Sequence, residues 1–297
     1  MIEADAIRSA RGAAQLRRSF DRASHTYDGA AVLHADVRKS LLERLDLTAL
    51  TPRLVLDAGA GTGHASRALK RRYPKSRVIA LDFALGMLQT AARQQPWLQR
   101  FDRVCADAVC LPLADSSVDL ILSNLMLHWC DPDAILAEFR RVLAPEGFLS
   151  FTSFGPDTLR ELRSAWAEVD PHAHVNQFID MHDLGDALVR AGFKGSVLDV
   201  ERYTLSYTEV PALMADLKAV GSRNIVKTQT RGLTSPAKFA AMSAAYQKFR
   251  QAGRIPASYE VVFAHAWAPA RTAAVPANQT TVSLQELKRQ LAARRTS

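Results

Sequence analysis

The chain is poor in cysteine: 297 residues hold three, Cys105, Cys110 and Cys130, an odd number with no Cys-x-x-Cys pair. A disulfide framework is excluded, and free, buried thiols in a reducing compartment are expected, with Cys105 and Cys110 in the core. Long apolar runs are lacking as well. The longest, Leu120 to Trp129, is interrupted by Ser123 and Asn124 and falls short of the roughly 20 residues a membrane helix requires. No apolar stretch follows the Arg-rich N-terminus, where Glu3 and Asp5 stand, so no targeting role is expected and the expected location is cytoplasmic. With 48% hydrophobic and 23% charged residues, 14 Gly and 13 Pro, disordered and collagen-like classes are excluded. The length suffices for one large domain or two small ones, each with a full core.

Acid is missing from one long stretch. From Leu217 to Tyr259 there is no Asp or Glu, whereas Lys218, Arg223, Lys227, Arg231, Lys238, Lys248, Arg250 and Arg254 fall within it, in a chain of formal net charge +8. Such a block attracts an anionic partner or substrate. Nucleic acid is not the expected partner, because the only aromatics interleaved, Phe239, Tyr246 and Phe249, are spaced as the core face of a helix. His172, His174 and His182 lack a cysteine or acid at ligand spacing, so no metal site is expected.

What is present is an alternation of short apolar runs, turns and helical patterns, the signature of parallel βαβ units. Strands are predicted at Arg53–Ala58, Arg77–Leu81, Asp102–Cys105, Val118–Ser123 and Phe148–Ser153. Helices at Ala65–Arg72, Leu85–Arg93 and Ala134–Leu143 fill the intervals, with Asp131 and Pro132 as cap and first turn of the third. Beyond them come helices at Asp157–Ala167, His182–Arg190, Pro211–Val220 and Pro236–Arg250, and strands at Val197–Tyr207 and Tyr259–Trp267.

The sharpest motif is Val55-Leu56-Asp57-Ala58-Gly59-Ala60-Gly61-Thr62-Gly63, directly after the first strand. Glycine there lets the backbone turn tightly and approach a ligand closely. A dinucleotide fingerprint would need glycine at position 64, where His64 stands, and the carboxylate of Asp57 would repel a pyrophosphate while suiting a cationic ligand. S-adenosylmethionine carries both a sulfonium and an ammonium. Asp82 at the end of the second strand is placed to accept from ribose hydroxyls, and Asp107 after the third to accept from the adenine amine. Three acids at three successive strand ends predict an α/β, Rossmann-like class I methyltransferase fold. Its sheet would have seven mostly parallel strands with an antiparallel last one, and helical insertions as a lid. The cofactor-binding residues expected are Tyr27, Asp57, Gly59, Gly61, Gly63, Asp82, Phe83, Met87, Asp107, Ala108, Asn124 and Leu125.

In that topology the loops after the fifth and sixth strands lie over the cofactor. The expected organisation is an N-terminal helical segment at 1–50, a methyltransferase domain at 51–270 with caps at 154–180 and 208–258, and a polar tail at 271–297. No Asn-Pro-Pro-Tyr motif follows the fourth strand; Ser123-Asn124-Leu125-Met126 stands there instead, so amine methylation is not indicated. A carboxylate, which ordinarily titrates near pH ~4, is already ionised at pH 7 and needs no base.

The second half resembles the malonyl-acyl-carrier-protein O-methyltransferase family of biotin synthesis. The likeness rests on Leu159-Arg160-Glu161-Leu162 with Trp166, His174-Val175-Asn176 with Phe178, and Asp180-Met181-His182-Asp183-Leu184-Gly185-Asp186-Ala187-Leu188. It also rests on Leu213-Met214-Ala215-Asp216-Leu217-Lys218, Arg231-Gly232-Leu233 and the strand Tyr259–Trp267. The resemblance implies methyl transfer from S-adenosylmethionine to the free carboxylate of a malonyl thioester on acyl carrier protein. Phe20 to Asp28 resembles the family's N-terminal lid, with Tyr27 against the cofactor; His34 and His128 stand where glutamine is the family pattern. Tyr27, His128, Arg223 and Arg231 are the catalytic residues expected, either arginine pairing with the carboxylate. Lys218, Lys227, Lys238, Lys248 and Arg250 are expected to dock the acidic carrier. Two other functions share the first half: methylation of a small metabolite, and an assembly-factor or hydroxylase relative acting on a protein partner.

Overall fold

A sheet covered on both faces needs central strands that are mostly apolar, and the inner strand segments here supply them. A computed structural model describes residues 10–97, 99–222 and 235–270. Three helices, α1 (Ala10–Ala23), α2 (Tyr27–Ala30) and α3 (Val32–Arg44), precede β1 (Leu54–Ala58). Then follow α4 (His64–Arg72), β2 (Arg77–Asp82), α5 (Leu85–Gln94), β3 (Asp102–Cys105), β4 (Val118–Ser123), α6 (Pro132–Val142) and β5 (Leu143–Phe154). The chain continues through α7 (Arg160–Ala167), α8 (Met181–Arg190), β6 (Lys194–Tyr207), α9 (Val210–Ala219), α10 (Pro236–Tyr246) and β7 (Ile255–Trp267).

The strands form one seven-stranded sheet in the order β3-β2-β1-β4-β5-β7-β6. All pairs are parallel except those of β7, which runs antiparallel to both β5 and β6. The expected fold class is the observed one. Between β1 and β4 the strand order reverses, and there the loops leaving neighbouring carboxyl ends diverge and open a crevice. Successive residues serve opposite faces: Val55, Val78, Leu120 and Phe148 pack with Val37 and Leu41 of α3. Leu56, Ile79, Ile121 and Leu149 pack with Phe139 of α6 and Leu184 and Leu188 of α8.

Three expectations are corrected. Cys105 and Cys110 are exposed and Cys130 is half-buried, because β3 is an edge strand with little over it. The fifth strand begins at Leu143, earlier than its apolar run, since Leu143 already pairs with Val118 across a register shift. The seventh begins at Ile255 and includes Pro256. At that point β7 is paired with β6 alone, its pairing with β5 running only from Trp267 to Val261, and a sheet edge tolerates a residue without an N–H. Among the described residues no helix is long and apolar enough to cross a membrane.

Candidate active site

The loop after β1 is shaped by its glycines, which differ in what confines them. Gly59 has φ +74° and a Cβ there would meet Met126 Cγ at 2.5 Å; its N–H and that of Ala60 donate to the Leu81 carbonyl at 2.8 and 2.9 Å. Gly61 has φ +53°, and a Cβ there would meet nothing within 4 Å, since it faces open space. Gly63, φ +80°, is the N-cap of α4, and a Cβ would press on Ala91 Cβ at 2.9 Å. The first glycine thus makes the turn, the second leaves room for a ligand, and the third lets α4 pack against α5.

Asp82 anchors the loop. One carboxylate oxygen accepts from the Gly61 N–H and the other from the Ala84 N–H, each at 2.8 Å. Each oxygen keeps a lone pair for a further donor. Burial raises the Asp82 carboxyl to about 6, against the pull of those N–H groups. Asp57 behaves otherwise. It is buried, accepts from Ser66 Oγ at 2.5 Å, and is pushed up to about 7 by burial.

A cavity of 860 Å³ lies over the carboxyl ends of β1, β2 and β4. Of the residues expected to bind cofactor, Tyr27, Gly59, Gly61, Asp82, Phe83, Met87, Asp107, Ala108, Asn124 and Leu125 line it, as does His128. Asp57 and Gly63 do not. Asp57 is bonded to Ser66 of α4 and Gly63 is wedged against α5. Asn124 is oriented on both sides: its Nδ2 donates to the His34 carbonyl at 3.1 Å and its Oδ1 accepts from Thr152 Oγ1 at 3.1 Å. The same hydroxyl accepts from the Leu125 N–H at 2.8 Å, holding Leu125 at φ +49°.

The N-terminal helices close the cavity. Phe20 packs edge-on against Phe83 and Trp129, at 5.9 and 5.7 Å between ring centres. Asp28 accepts from Thr62 Oγ1 at 2.6 Å and Gln94 Nε2 at 2.7 Å, and Asp21 accepts from the Gly86 N–H at 2.8 Å. The cover is thereby tied to both the glycine loop and the start of α5. Burial, reinforced by the charge of Asp82, raises the Tyr27 phenol and keeps it protonated. Asp28 and Thr152 were not expected as site residues; an aspartate one residue after Tyr27 was the available signal for the first, and nothing local marked the second.

A second cavity of 290 Å³ adjoins the first, and His128, Trp129, Asn176 and Phe178 line both. Its other walls come from His34, Phe154, Trp166, His174, Met214, Lys218 and Tyr259 among others. The His128 ring is held among Phe154, Trp129 and Phe178 at 4.6, 5.0 and 5.6 Å. Burial, and then His34, hold His128 down to about 3; burial, and then the charge of Arg38, hold His34 down to about 4. Both rings are neutral at pH 7. Trp166 stacks on His174 at 3.8 Å.

The basic stretch is partly neutralised from within the chain. Lys238 Nζ lies 2.6 Å from Asp170, whose carboxyl that contact holds down at about 2. Lys248 pairs with Glu168, and Arg250 with Glu209 at 3.1 Å. Lys218 is exposed at the rim of the smaller cavity and has no ion pair among the described residues. Arg223, Lys227 and Arg231 lie outside the described residues.

A family model described as a methyltransferase domain matches residues 56–151. The malonyl-[acyl-carrier protein] O-methyltransferase of Methylovorus sp. (strain MP688) is 52% identical over 270 residues, covering 89% of this chain and 91% of that protein. The protein of the same name from Laribacter hongkongensis is 51% identical over 265 residues, covering 86% and 89%. Among solved structures, the YcgJ protein of Bacillus subtilis superposes with a TM-score of 0.54 at 17% identity, covering 78% of this chain and 98% of that one. A SAM-dependent methyltransferase of Thermotoga maritima gives 0.51 at 18% identity, covering 85% and 99%. At such identities the structures speak for the fold alone.

Proposed function

The chain belongs to the malonyl-[acyl-carrier protein] O-methyltransferase family, and from that premise we propose that it methylates the free carboxylate of a malonyl thioester on acyl carrier protein. The product is the methyl ester with which pimeloyl synthesis for biotin begins. The methyl donor is S-adenosylmethionine, and the large cavity suits it. Asp82 has free lone pairs for ribose hydroxyls, Asp107 an acceptor for the adenine amine, and Phe83, Met87, Ala108 and Leu125 offer an apolar slot. Gly59, Gly61 and Asn124 would border the amino-acid end, and Tyr27 would cover it. When bound, this cofactor supplies a methyl group on a sulfonium sulfur.

The chain's own task is to bring an ionised carboxylate, stripped of water, against that methyl. The carboxylate lone pair forms the new O–C bond, the C–S pair stays with sulfur, and no proton moves, so no general base is required. The observation that carries this reading is the lining of the smaller cavity: among the described residues it contains no carboxylate and one cation, Lys218. An anion entering there meets no like charge, and the aromatic walls exclude water that would otherwise shield it. Arg223 or Arg231 would attract the carboxylate. For carrier docking, Lys238, Lys248 and Arg250 would have to exchange partners with Asp170, Glu168 and Glu209, whereas Lys218 is free to do so directly and Lys227 completes the set.

The test is transfer of label from S-adenosylmethionine to malonyl-acyl carrier protein, with acetyl-acyl carrier protein as the control lacking a free carboxylate. Label on the malonyl form alone, released by mild ester hydrolysis, is the expected result. Label on neither, with cofactor still bound, would leave a methyltransferase acting on another substrate.

A further inference from the structure

The helix that covers the large cavity has an outer face as well. On α1, Leu16, Ser19 and Ala23 turn inward and are buried, whereas Arg17, Arg18 and Arg22 are exposed. Arg18 and Arg22 stand four residues apart and so lie one above the other on the outside of the helix. None of these three arginines has an ion pair among the described residues. The one acid in each of α1 and α9 is engaged: Asp21 accepts from the Gly86 N–H at 2.8 Å, and Asp216 accepts from the Tyr207 hydroxyl. The free charge on these two helices is therefore positive.

The same helix lies against the wall of the smaller cavity. Ser19 Oγ donates to the Gly221 carbonyl and Thr26 Oγ1 to the Ala219 carbonyl, each at 3.1 Å. Gly221 has φ +77°, and a Cβ there would meet Phe20 Cδ1 at 2.9 Å, so the contact is close. Its neighbours Val220 and Ser222 line the smaller cavity, and so does Lys218. The helix that carries the arginines thus borders the rim where Lys218 is exposed. Lys238, Lys248 and Arg250 differ, because each stands beside an acid of its own, Asp170, Glu168 and Glu209. A charged partner is steered by the net potential of a face, and a cation beside an acid adds little to it. Resting on the functional reading above, we propose that the acidic carrier protein docks on the outer face of α1, against Arg18 and Arg22, with Lys218 at the entrance for the thioester arm. One helix then serves both substrates: its inner face covers the cofactor and its outer face receives the carrier.

The test varies charge at the two positions in steps: Arg18→Lys with Arg22→Lys, then both to Gln, then both to Glu. Neither side chain has an ion pair in the fold, so the melting temperature and S-adenosylmethionine affinity are expected to stay near wild type in all three. Methyl transfer is measured on malonyl-acyl carrier protein and on malonyl-pantetheine, which offers the same carboxylate and thioester without the carrier. For the carrier-borne substrate, KM is expected to hold in the Lys pair, rise about threefold in the Gln pair and roughly tenfold or more in the Glu pair, with kcat within about twofold. The dependence of that KM on ionic strength should flatten in the same order. Binding of carrier protein without the malonyl group, followed by calorimetry, should weaken in parallel, while KM for malonyl-pantetheine stays constant. The proposal is overturned if the Glu pair, folded and cofactor-bound, keeps the wild-type KM for the carrier-borne substrate, or if KM for malonyl-pantetheine rises as much. In either case an active wild-type enzyme leaves the functional reading standing. A wild-type enzyme inactive on malonyl-acyl carrier protein would remove that reading and this inference together.

Discussion

The two cavities share a wall but are constructed by different means. The larger is made mostly at strand ends: Gly59, Gly61, Asp82, Asp107, Asn124 and Leu125 each follow or close a strand, Asp82 accepting the N–H of Gly61 and Thr152 that of Leu125. The smaller is made of side chains from separate parts of the chain, among them His34, His128, Trp166, His174, Lys218 and Tyr259, and several of these meet ring against ring. The first is held by hydrogen bonds at the strand ends, the second by packed rings, which exclude water without fixing a donor.

The largest expected effect that would test this contrast is at Asp82. Asp82→Ala removes the acceptor of two N–H groups together with the lone pairs offered to a ligand, and S-adenosylmethionine affinity is expected to fall by about 100-fold or more. The KM for the malonyl thioester, taken at saturating cofactor, should change little. A matching rise in that KM would mean that the two cavities are one energetic unit.

A smaller effect follows from protonation. Asp82 is raised to about 6, so a ligand whose hydroxyls need its carboxylate as an acceptor must displace a proton below that pH. Cofactor affinity should rise about tenfold from pH 5 to pH 7, with proton release seen by calorimetry in buffers of different ionisation heat. The sign for stability is opposite in the two regions. The raised carboxyls stabilise the free protein below their unfolded value and lose that contribution as pH rises through about 6 and 7. His34 and His128, held down to about 4 and 3, contribute above their unfolded value and lose it as pH falls toward those numbers. Thioester KM should accordingly stay flat from pH 6 to 8 as far as these two rings are concerned.

The smallest effect divides two glycines of one loop. Alanine at either position carries about 1–2 kcal/mol of left-handed backbone strain. Gly63→Ala must also displace Ala91 and Phe101, at 2.9 and 3.1 Å, so its melting temperature should fall further than that of Gly61→Ala. Gly61→Ala places a methyl in open space on the cavity wall and should weaken cofactor binding more than stability. Equal behaviour in both measurements would erase the distinction between lining and support.

Much of this was legible along the chain, for reasons particular to each element. β1, β2 and β4 are buried on both faces and therefore read as mostly apolar runs bounded by turn residues. Asp82 was recognisable because a strand end followed by a helix start leaves its carboxylate at the crevice. For Asp57 the strand end does not say toward which face the side chain turns, and here Ser66 of α4 bonds it. The basic stretch looked like an open docking surface, but the acids that pair with Lys238, Lys248 and Arg250 come from residues 168, 170 and 209, beyond the stretch itself. Cys105 was expected in the core as a free thiol, and the sheet order put its strand at the edge.

The sequence by itself determined the sheet, the glycine loop, the acid at the end of β2 and, through its substrate-side motifs, the family. These depend on patterns that repeat within a few residues: alternation along a strand, turn chemistry, glycine where φ must be positive. Only the tertiary structure decided which segments share the second cavity. His128 after β4 and Asn176 before α8 become neighbours of one cavity junction because the reversal of strand order and the long insertions bring their segments over the same edge of the sheet. Burial there then makes a histidine neutral, which no local pattern records.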